Sequence, residues 1–245
     1  MTATYQVEGS VAVITIDRVD CRNAIDRATA VALRVCWEEF DEDESAHVGI
    51  LTGAGSHFSA GADLKSFDLV DDPAGFLGFT RIQTGKPTIA AIEGYCVAGG
   101  LEMALWCDLR IAGASAVFGC FERRFGVPLV DGGTQRLPLV VGLGRALEMI
   151  LTGRAVNAEE AHAIGLVNRV VADRSALDAA RALAREMAEL PQTTMRSDRL
   201  AVLDGANLDL DRERQLGINA LAQEGAAARE RFVVGEGRGG ESLEG

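Results

Sequence analysis

The chain has 245 residues, of which 48% are hydrophobic and 24% are charged, a composition typical of a soluble globular protein with a sizeable core. Its formal net charge of −12 repels a phosphate backbone, which argues against nucleic-acid binding. The chain shows no apolar run approaching the roughly 20 residues of a membrane span, and no basic segment followed by an apolar stretch near residue 1. We therefore expect a cytoplasmic protein with no membrane partner.

Cysteine and histidine usage gives no sign of a metal or disulfide framework. The five cysteines, at positions 21, 36, 96, 107 and 120, are an odd number and form no close Cys-x-x-Cys pair. The three histidines are scattered along the chain. Neither disulfides nor a metal site is predicted.

The first half of the chain alternates between strand and helix patterns. A β-branched run predicts a strand at 11–16, and apolar residues at helical spacing predict a helix over 27–40. Two more β-branched runs predict strands at 48–52 and 88–92, and a mostly apolar helix is predicted at 101–107. Strands that alternate with helices predict the α/β class.

The second half is predominantly helical. Short strands are predicted at 109–112 and 117–118, and helices at 135–141, 145–151, 158–164 and 175–190. Pro191 marks a break, and a smaller all-helical region is predicted from 194 to about 234. The glycine-rich, charged residues 235–245 lack an apolar face and predict a mobile tail. We thus expect a core at 1–190, a helical region at 191–234 and a tail at 235–245.

The segment Gly94-Tyr-Cys-Val-Ala-Gly-Gly-Leu-Glu-Met-Ala-Leu-Trp-Cys-Asp108 places one carboxylate inside an apolar helix. Gly99 and Gly100 free the backbone from side-chain crowding at the start of that helix. Glu102 lies in the first turn, where a carboxylate suits the helix dipole and the unpaired N–H groups. The pattern alone fits this structural role and an acid/base role equally well.

A second glycine-rich loop, Gly53-Ala-Gly-Ser-His-Phe-Ser-Ala-Gly-Ala-Asp-Leu64, fails both phosphate-binding patterns. The dinucleotide fingerprint requires glycine where Phe58 stands, and Lys65 is not preceded by the glycine of a P-loop. Small residues at 59–62 after a strand allow a ligand to approach main-chain N–H groups. The loop is therefore either half of an oxyanion hole or an ordinary strand-to-helix turn.

Three segments, taken in order, resemble the enoyl-CoA hydratase/isomerase, or crotonase, superfamily. They are Phe58-Ser-Ala-Gly-Ala-Asp-Leu64, Ala98-Gly-Gly-Leu-Glu-Met-Ala-Leu-Trp-Cys-Asp108 and Phe121-Glu-Arg-Arg-Phe-Gly-Val-Pro128 with Gly132-Gly-Thr-Gln-Arg-Leu-Pro138. The resemblance covers most of residues 5–190 and implies a spiral of ββα units with a helical C-terminal trimerisation region. It also implies an acyl-CoA substrate, no cofactor, and a trimer or dimer of trimers.

The resemblance assigns chemistry to four positions. The backbone N–H groups of Ala60 and Gly99 are expected to form an oxyanion hole for the thioester carbonyl. Glu102 is expected to activate water for attack at carbon 3, and Glu122 to exchange a proton at carbon 2. A surface salt bridge with Arg123 or Arg124 is the structural alternative for Glu122.

The resemblance also carries over contacts with the CoA ester. They are expected from Cys21, Arg22, Ala24, Ala60, Gly61, Ala62, Asp63, Leu64, Gly99 and Val130. Arg22 is placed to meet a phosphate, and a solvated arginine is its structural alternative.

Residues 130 and 131 depart from the hydratase pattern. Val130 stands where glycine is common, and Asp131 stands where a small neutral residue is usual. An acidic residue here resembles the dienoyl-CoA isomerase branch, in which a third carboxylate relays a proton, whereas helix-start chemistry predicts that Asp131 caps the helix near Thr134. Hydration is the leading prediction, double-bond isomerisation the second, and acyl-CoA binding without catalysis the third.

Overall fold

The computed structural model describes residues 2–66, 68–204, 214, 217–219 and 222–223. Apart from those last few positions, the helical region predicted beyond 204 lies outside the described residues, as does the predicted tail at 235–245. The strands are β1 (Ala3–Glu8), β2 (Val11–Ile16), β3 (Val48–Gly53), β4 (Thr88–Ile92), β5 (Tyr95–Val97), β6 (Leu109–Gly113), β7 (Val117–Gly119), β8 (Val156–Asn157) and β9 (Arg169–Val171). The helices are α1 (Arg27–Glu42), α2 (Gly99–Trp106), α3 (Gly133–Val141), α4 (Leu143–Thr152), α5 (Ala158–Ala163), α6 (Ala176–Ala188) and α7 (Gln192–Asp204).

Two sheets organise the described chain. The larger sheet has the order β1-β2-β3-β4-β6-β9, with β1 antiparallel to β2 and the other neighbours parallel. The smaller sheet has the order β5-β7-β8. Isolated bridges join Ser59 to Cys96 and Ile25 to Ala62, so that the loops after β2 and β3 run beside the smaller sheet. The segments β4–β5–α2 and β6–β7–α3 thus each visit both sheets before a helix, as in a spiral of ββα units.

The larger sheet separates two apolar clusters because alternate side chains of a strand point to opposite faces. Val13, Ile50 and Ile89 lie in one cluster, with three alanines of α6 at 176, 180 and 184. Ile14 and Leu51 lie in the other cluster, with residues of α1 and α2. Burial on both faces explains why the strands read as continuous apolar runs in the sequence.

Helix α2 is fixed at its C-terminal end by a buried arginine. The Arg110 guanidinium donates to the carbonyl oxygens of Ala104 and Cys107, at 3.2 and 2.8 Å, and to that of Leu166 at 2.8 Å. A cation at the last carbonyls of a helix satisfies unpaired acceptors and favours the helix dipole. The position of α2 is therefore set by the sheet below it and by this contact.

Helix α7 begins at Gln192, directly after Pro191, and is tied to the core by a partly buried ion pair. Arg199 Nε lies 2.8 Å from Asp108 Oδ2, and its Nη1 donates to the Thr84 carbonyl.

Among the described residues, no helix is both long enough and apolar enough to cross a membrane.

The predicted strands at 11–16 and 88–92 have the bounds that the structure shows, and the helix predicted over 27–40 extends two residues further. Four strands were absent from the sequence prediction: β1, β5, β8 and β9. Strand β1 lies at the sheet edge with half of its residues exposed, so it lacks the apolar run of the central strands. The other three have only two or three residues, too few to show a periodicity.

Candidate active site

A cavity of about 600 Å³ lies where the loops of the two sheets meet α2. Its walls are mainly apolar, and they include Glu102, Glu122 and Asp131, three carboxylic acids in addition to Asp63. The other predicted site residues on its walls are Arg22, Ala60, Ala62, Asp63, Leu64, Gly99 and Val130. The cavity therefore brings together residues that are up to about a hundred positions apart in the sequence.

Glu102 is held in the first turn of α2 with 3% of its surface exposed. One carboxylate oxygen, Oε1, accepts the N–H groups of Asp131 and Gly133, each at 2.9 Å. Burial, together with the nearby charges of Asp131 and Glu122, raises the pKa of Glu102 to about 7, while the two N–H donors act in the opposite direction. A carboxyl with this pKa exchanges a proton near neutral pH, which suits acid–base chemistry.

Glu122 lies in a 3₁₀ turn at Phe121–Phe125 and has 6% of its surface exposed. Both carboxylate oxygens are buried without a hydrogen-bond partner among the described residues. The predicted surface salt bridge is not formed, because Arg124 stacks on the Phe121 ring at 4.0 Å and donates to the Gly153 carbonyl. Burial raises the pKa of Glu122, which favours its protonated form.

The loop at 59–62 lies directly against the start of α2. Gly61 has a φ of +84°, and a β-carbon there would come within 2.6 Å of the Gly99 nitrogen. This close approach requires glycine at 61, because any side chain would collide with the backbone. The two segments predicted to form the oxyanion hole are therefore in contact.

The two predicted oxyanion donors differ in whether their N–H groups already make a hydrogen bond. The Gly99 N–H opens α2 and has no acceptor among the described residues. The Ala60 N–H donates to the Arg22 carbonyl at 3.0 Å. Gly99 is free to bind an oxyanion, whereas Ala60 must share or give up its present bond.

Ala98 precedes α2 with a φ of +53°, a region that side chains rarely adopt. Such a conformation costs about 1–3 kcal/mol and persists only where the surroundings impose it. The Ala98 N–H is held by the Gly119 carbonyl at 2.9 Å, and its carbonyl accepts the N–H groups of Leu101 and Glu102. The strained residue thus sets the direction of the first N–H of the helix.

Asp131 does not cap α3, and the alternative that predicted a helix cap is wrong. Helix α3 begins at Gly133 after a left-handed Gly132, and no side chain caps it. The Asp131 carboxylate accepts instead from the Thr80 hydroxyl and from the Leu77 N–H, the latter at 3.3 Å. The turn at Gly132 directs Asp131 away from the helix end and toward the loop before β4.

The remaining predicted CoA contacts include Arg22, Asp63 and Cys21. The Arg22 guanidinium is 5.2 Å from the Tyr95 ring centroid, so it packs on an aromatic face and is not simply a solvated side chain. Asp63 pairs with Arg18 at 3.0 Å, and the Cys21 thiol donates to the Arg18 carbonyl at 3.4 Å. Within the described chain, Cys21, Ala24 and Gly61 are not among the residues that form the cavity wall.

Sequence reasoning missed most of the apolar wall. The residues concerned are Leu69, Phe76, Leu77, Tyr95, Val97, Phe121, Phe125, Val127 and Pro128. Tyr95 and Phe121 lie inside the quoted segments 94–108 and 121–128, so their positions carried a usable signal. Phe76 and Leu77 lie in a segment without strand or helix, where no periodicity marks the buried side.

Comparison with known proteins agrees with this geometry. A family model described as Enoyl-CoA hydratase/isomerase matches residues 6–235. The Short-chain-enoyl-CoA hydratase of Clostridium acetobutylicum is 36% identical over 234 residues, which cover 92% of this chain and 87% of that protein. The Carnitinyl-CoA dehydratase of Escherichia coli is 40% identical over 187 residues, which cover 73% of this chain and 71% of that protein.

Solved structures of enoyl-CoA hydratases are also similar to this chain over most of its length. The crystal structure of an enoyl-CoA hydratase from Mycobacterium marinum superposes with a TM-score of 0.87 at 35% identity, covering 94% of this chain and 96% of that chain. The chain belongs to the enoyl-CoA hydratase/isomerase family. Among the residues that the structure describes, no group of three His, Cys, Asp or Glu side chains is placed to hold a metal ion.

The raised pKa of Glu102 predicts a pH-dependent loss of stability. Since its pKa rises from 4.5 to about 7 on folding, its stabilising contribution is complete below the lower value and is lost as pH rises through the higher one. Glu102→Gln removes this dependence. Relative to wild type, the variant is expected to gain about 2 kcal/mol in unfolding free energy between about pH 5 and about pH 8. Urea denaturation at both pH values measures it, with the exposed Glu159→Gln as control; equal pH slopes in wild type and Glu102→Gln would contradict the assignment.

The close fit of Gly133 against Glu102 predicts a second effect. A β-carbon at 133 would lie 2.9 Å from Glu102 Cγ and 3.0 Å from its Oε1, so Gly133→Ala must displace the carboxylate. We expect kcat for an enoyl-CoA thioester to fall about 100-fold, as small misplacements of a catalytic group do. Gly144→Ala is the control, because a β-carbon there meets nothing within 4 Å. Unchanged kcat in Gly133→Ala would show that the carboxylate tolerates displacement.

Proposed function

We propose that this enzyme adds water across the double bond of a trans-2-enoyl-CoA thioester to give a 3-hydroxyacyl-CoA. The observation that carries the proposal is the pair of buried carboxyls, Glu102 and Glu122, in one cavity with the unpaired Gly99 N–H. Curated relatives across most of the chain are named as enoyl-CoA hydratases, which supports the same reaction.

The thioester carbonyl is proposed to lie at the start of α2. Addition of water at carbon 3 makes this oxygen enolate-like, and preorganised donors must already point toward it. The Gly99 N–H, strengthened by the helix dipole, serves as one donor. The Ala60 N–H serves as the second when the substrate oxygen competes with the Arg22 carbonyl. Each such donor contributes about 3 kcal/mol to transition-state stabilisation.

Glu102 and Glu122 are proposed to take opposite roles in proton transfer. The two backbone N–H donors stabilise the ionised form of Glu102, so it accepts the proton of the attacking water. Glu122 has no hydrogen-bond partner among the described residues, and burial raises its pKa, so it carries the proton that is delivered to carbon 2. The two glutamates together thus take one proton from water and give one proton to carbon 2. Return of the proton from Glu102 to Glu122 restores the starting state.

The CoA portion is proposed to leave the cavity along the segment at 60–64, past Arg22 and the neighbouring Cys21 and Ala24. Arg22 supplies a cation at the mouth, where the phosphates of CoA need one. The apolar wall then faces the acyl chain. Because carboxyls and backbone donors supply all the chemistry, we propose that the enzyme needs no cofactor.

Double-bond isomerisation is the second candidate. The observation that favours it is Asp131, another buried carboxyl that lines the same cavity and whose N–H binds Glu102. A third acid could move a proton along the acyl chain instead of admitting water. The retention of both glutamates, each buried in the cavity, argues against a family member that only binds acyl-CoA.

We also propose that the chain self-associates as a trimer or dimer of trimers. Leu143, Leu147 and Leu151 recur every four residues along one face of α4, and Leu139 lies near the end of α3; we call these four residues the stripe, and each has at least 44% of its surface exposed. Exposed apolar residues grouped in this way are typical of a surface that another protein covers. In closed homo-oligomers the covering protein is a second copy of the chain.

Breaking this stripe tests the self-association. Leu143→Ser combined with Leu151→Ser is expected to lower the mass measured by light scattering from a multiple of the chain to that of one chain. Val70→Ser, also an exposed apolar residue but outside the stripe, should leave the mass unchanged. A monomeric wild type would refute self-association, and an unchanged double variant would place the interface elsewhere.

The two carboxyls give the test of the reaction itself. Glu102→Gln and Glu122→Gln are each expected to lower kcat by about 10²–10⁴-fold, the usual contribution of general acid–base catalysis. Loss of the enoyl thioester absorbance measures turnover, and Glu159→Gln serves as the exposed control. Wild-type inactivity on enoyl thioesters of several chain lengths, or full activity of both variants, would overturn the proposal. Bond migration without water addition would select the isomerase.

A further inference from the structure

Two loops beside the carboxyls are fastened together by side-chain hydrogen bonds. The Asp131 carboxylate accepts from the Thr80 hydroxyl and the Leu77 N–H. The Arg136 guanidinium bridges the same residues, donating to the Asp131 carbonyl at 2.9 Å and the Thr80 carbonyl at 2.6 Å. Arg81 adds a bond to the Val130 carbonyl at 3.0 Å. We call this set of contacts between residues 77–81 and 130–136 the clasp.

The clasp connects two functional parts of the cavity. On one side, the N–H groups of Asp131 and Gly133 hold Glu102 Oε1. On the other side, Leu77 forms part of the apolar wall, and its Cδ1 lies 2.9 Å from the position that a β-carbon on Gly99 would take. The water-activating carboxylate, the oxyanion donor and the acyl wall are therefore held by one set of hydrogen bonds.

We infer that Asp131 is a positioning residue, whose side chain is anchored by Thr80 so that its own N–H fixes the Glu102 carboxylate, and that it carries no proton to substrate. This inference rests on the proposed hydration. It differs from the proton-relaying role that the resemblance to the dienoyl-CoA isomerase branch suggested for Asp131. One Asp131 oxygen already accepts two hydrogen bonds from the protein, which suits an anchor better than a proton carrier.

The charges around Glu102 make the inference testable by pH. Glu102 faces Asp131 from the loop before α3, Glu122 from the 3₁₀ turn and the Arg136 guanidinium from α3. Asp131 itself faces Arg81 and Arg136. Removing the Asp131 charge while keeping its oxygen removes one of the negative groups near Glu102, so the Glu102 carboxyl must ionise at lower pH.

The clasp is tested first with Asp131→Asn, which retains an acceptor for Thr80 and removes the charge. We expect kcat to stay within about tenfold of wild type, because the bond to Glu102 comes from the main chain. The acid limb of the kcat/KM profile should move to lower pH by on the order of one unit. A loss of kcat of about 1000-fold or more with an unmoved acid limb would identify Asp131 as a proton carrier and overturn the inference.

Thr80 supplies the second arm. Thr80→Val removes the hydroxyl that anchors Asp131 and is expected to lower kcat about tenfold with little change in KM, because Glu102 loses its fixed position. Thr80→Ser restores the hydroxyl and should restore kcat. Thr152→Val is the matched control, since the exposed Thr152 hydroxyl donates to the Glu148 carbonyl, which lies outside the clasp. A Thr80→Val enzyme with wild-type kcat and acid limb would also overturn the inference.

An activity-independent readout separates this inference from the proposed reaction. Carbon-13 NMR titration of the glutamate side-chain carboxyls in wild type, Asp131→Asn and Glu102→Gln follows the ionisation of Glu102 directly. A lower pKa of Glu102 in Asp131→Asn supports the electrostatic contact, and an unchanged pKa refutes it. If wild type does not hydrate enoyl thioesters, the proposed function fails while this titration still decides the contact. If Thr80→Val does not fold, Thr80→Ala replaces it in the kinetic arm.

Discussion

The structure depends on one constraint: a carboxylate buried in an apolar cavity must be held in a single position by backbone donors. Glu102 meets this constraint through the N–H groups of Asp131 and Gly133. Burial without those donors would leave the acid neutral and free to change rotamer. Burial with them raises its pKa only to about 7, where it exchanges protons near neutrality. The surrounding loops are shaped to deliver these two N–H groups.

In the proposed mechanism, helix α2 supplies both an oxyanion donor and an acid–base group, because its first turn contains Gly99 and Glu102. Its own position follows from packing: the parallel sheet supports it, and Arg110 binds its last carbonyls. Strain at Ala98 and close contact with Gly61 then direct its first N–H into the cavity. The rigid core thus fixes the donors before substrate arrives, which is how electrostatic stabilisation of a transition state is achieved.

Much of the fold followed from the sequence because the central strands are buried on both faces. The runs at 11–16 and 88–92 are continuous and β-branched, and such patterns report burial directly. The motifs around Ala60, Gly99, Glu102 and Glu122 also identified the residues that meet in the cavity. Strand β1 and the three shortest strands were not predictable, because pairing with neighbours defines them and their own composition does not.

By itself, the sequence determined the fold class, the family resemblance and the two glutamates, because these depend on residue type and spacing. Only the tertiary structure decided what Asp131 does, since the left-handed turn at Gly132 directs its side chain to Thr80 and not to the helix end. The structure likewise showed that the Ala60 N–H already donates to the Arg22 carbonyl, while the Gly99 N–H has no acceptor in the part of the chain that the structure describes. Hydrogen-bond partners distant in sequence are chosen by how the loops pack, and no local pattern encodes that choice.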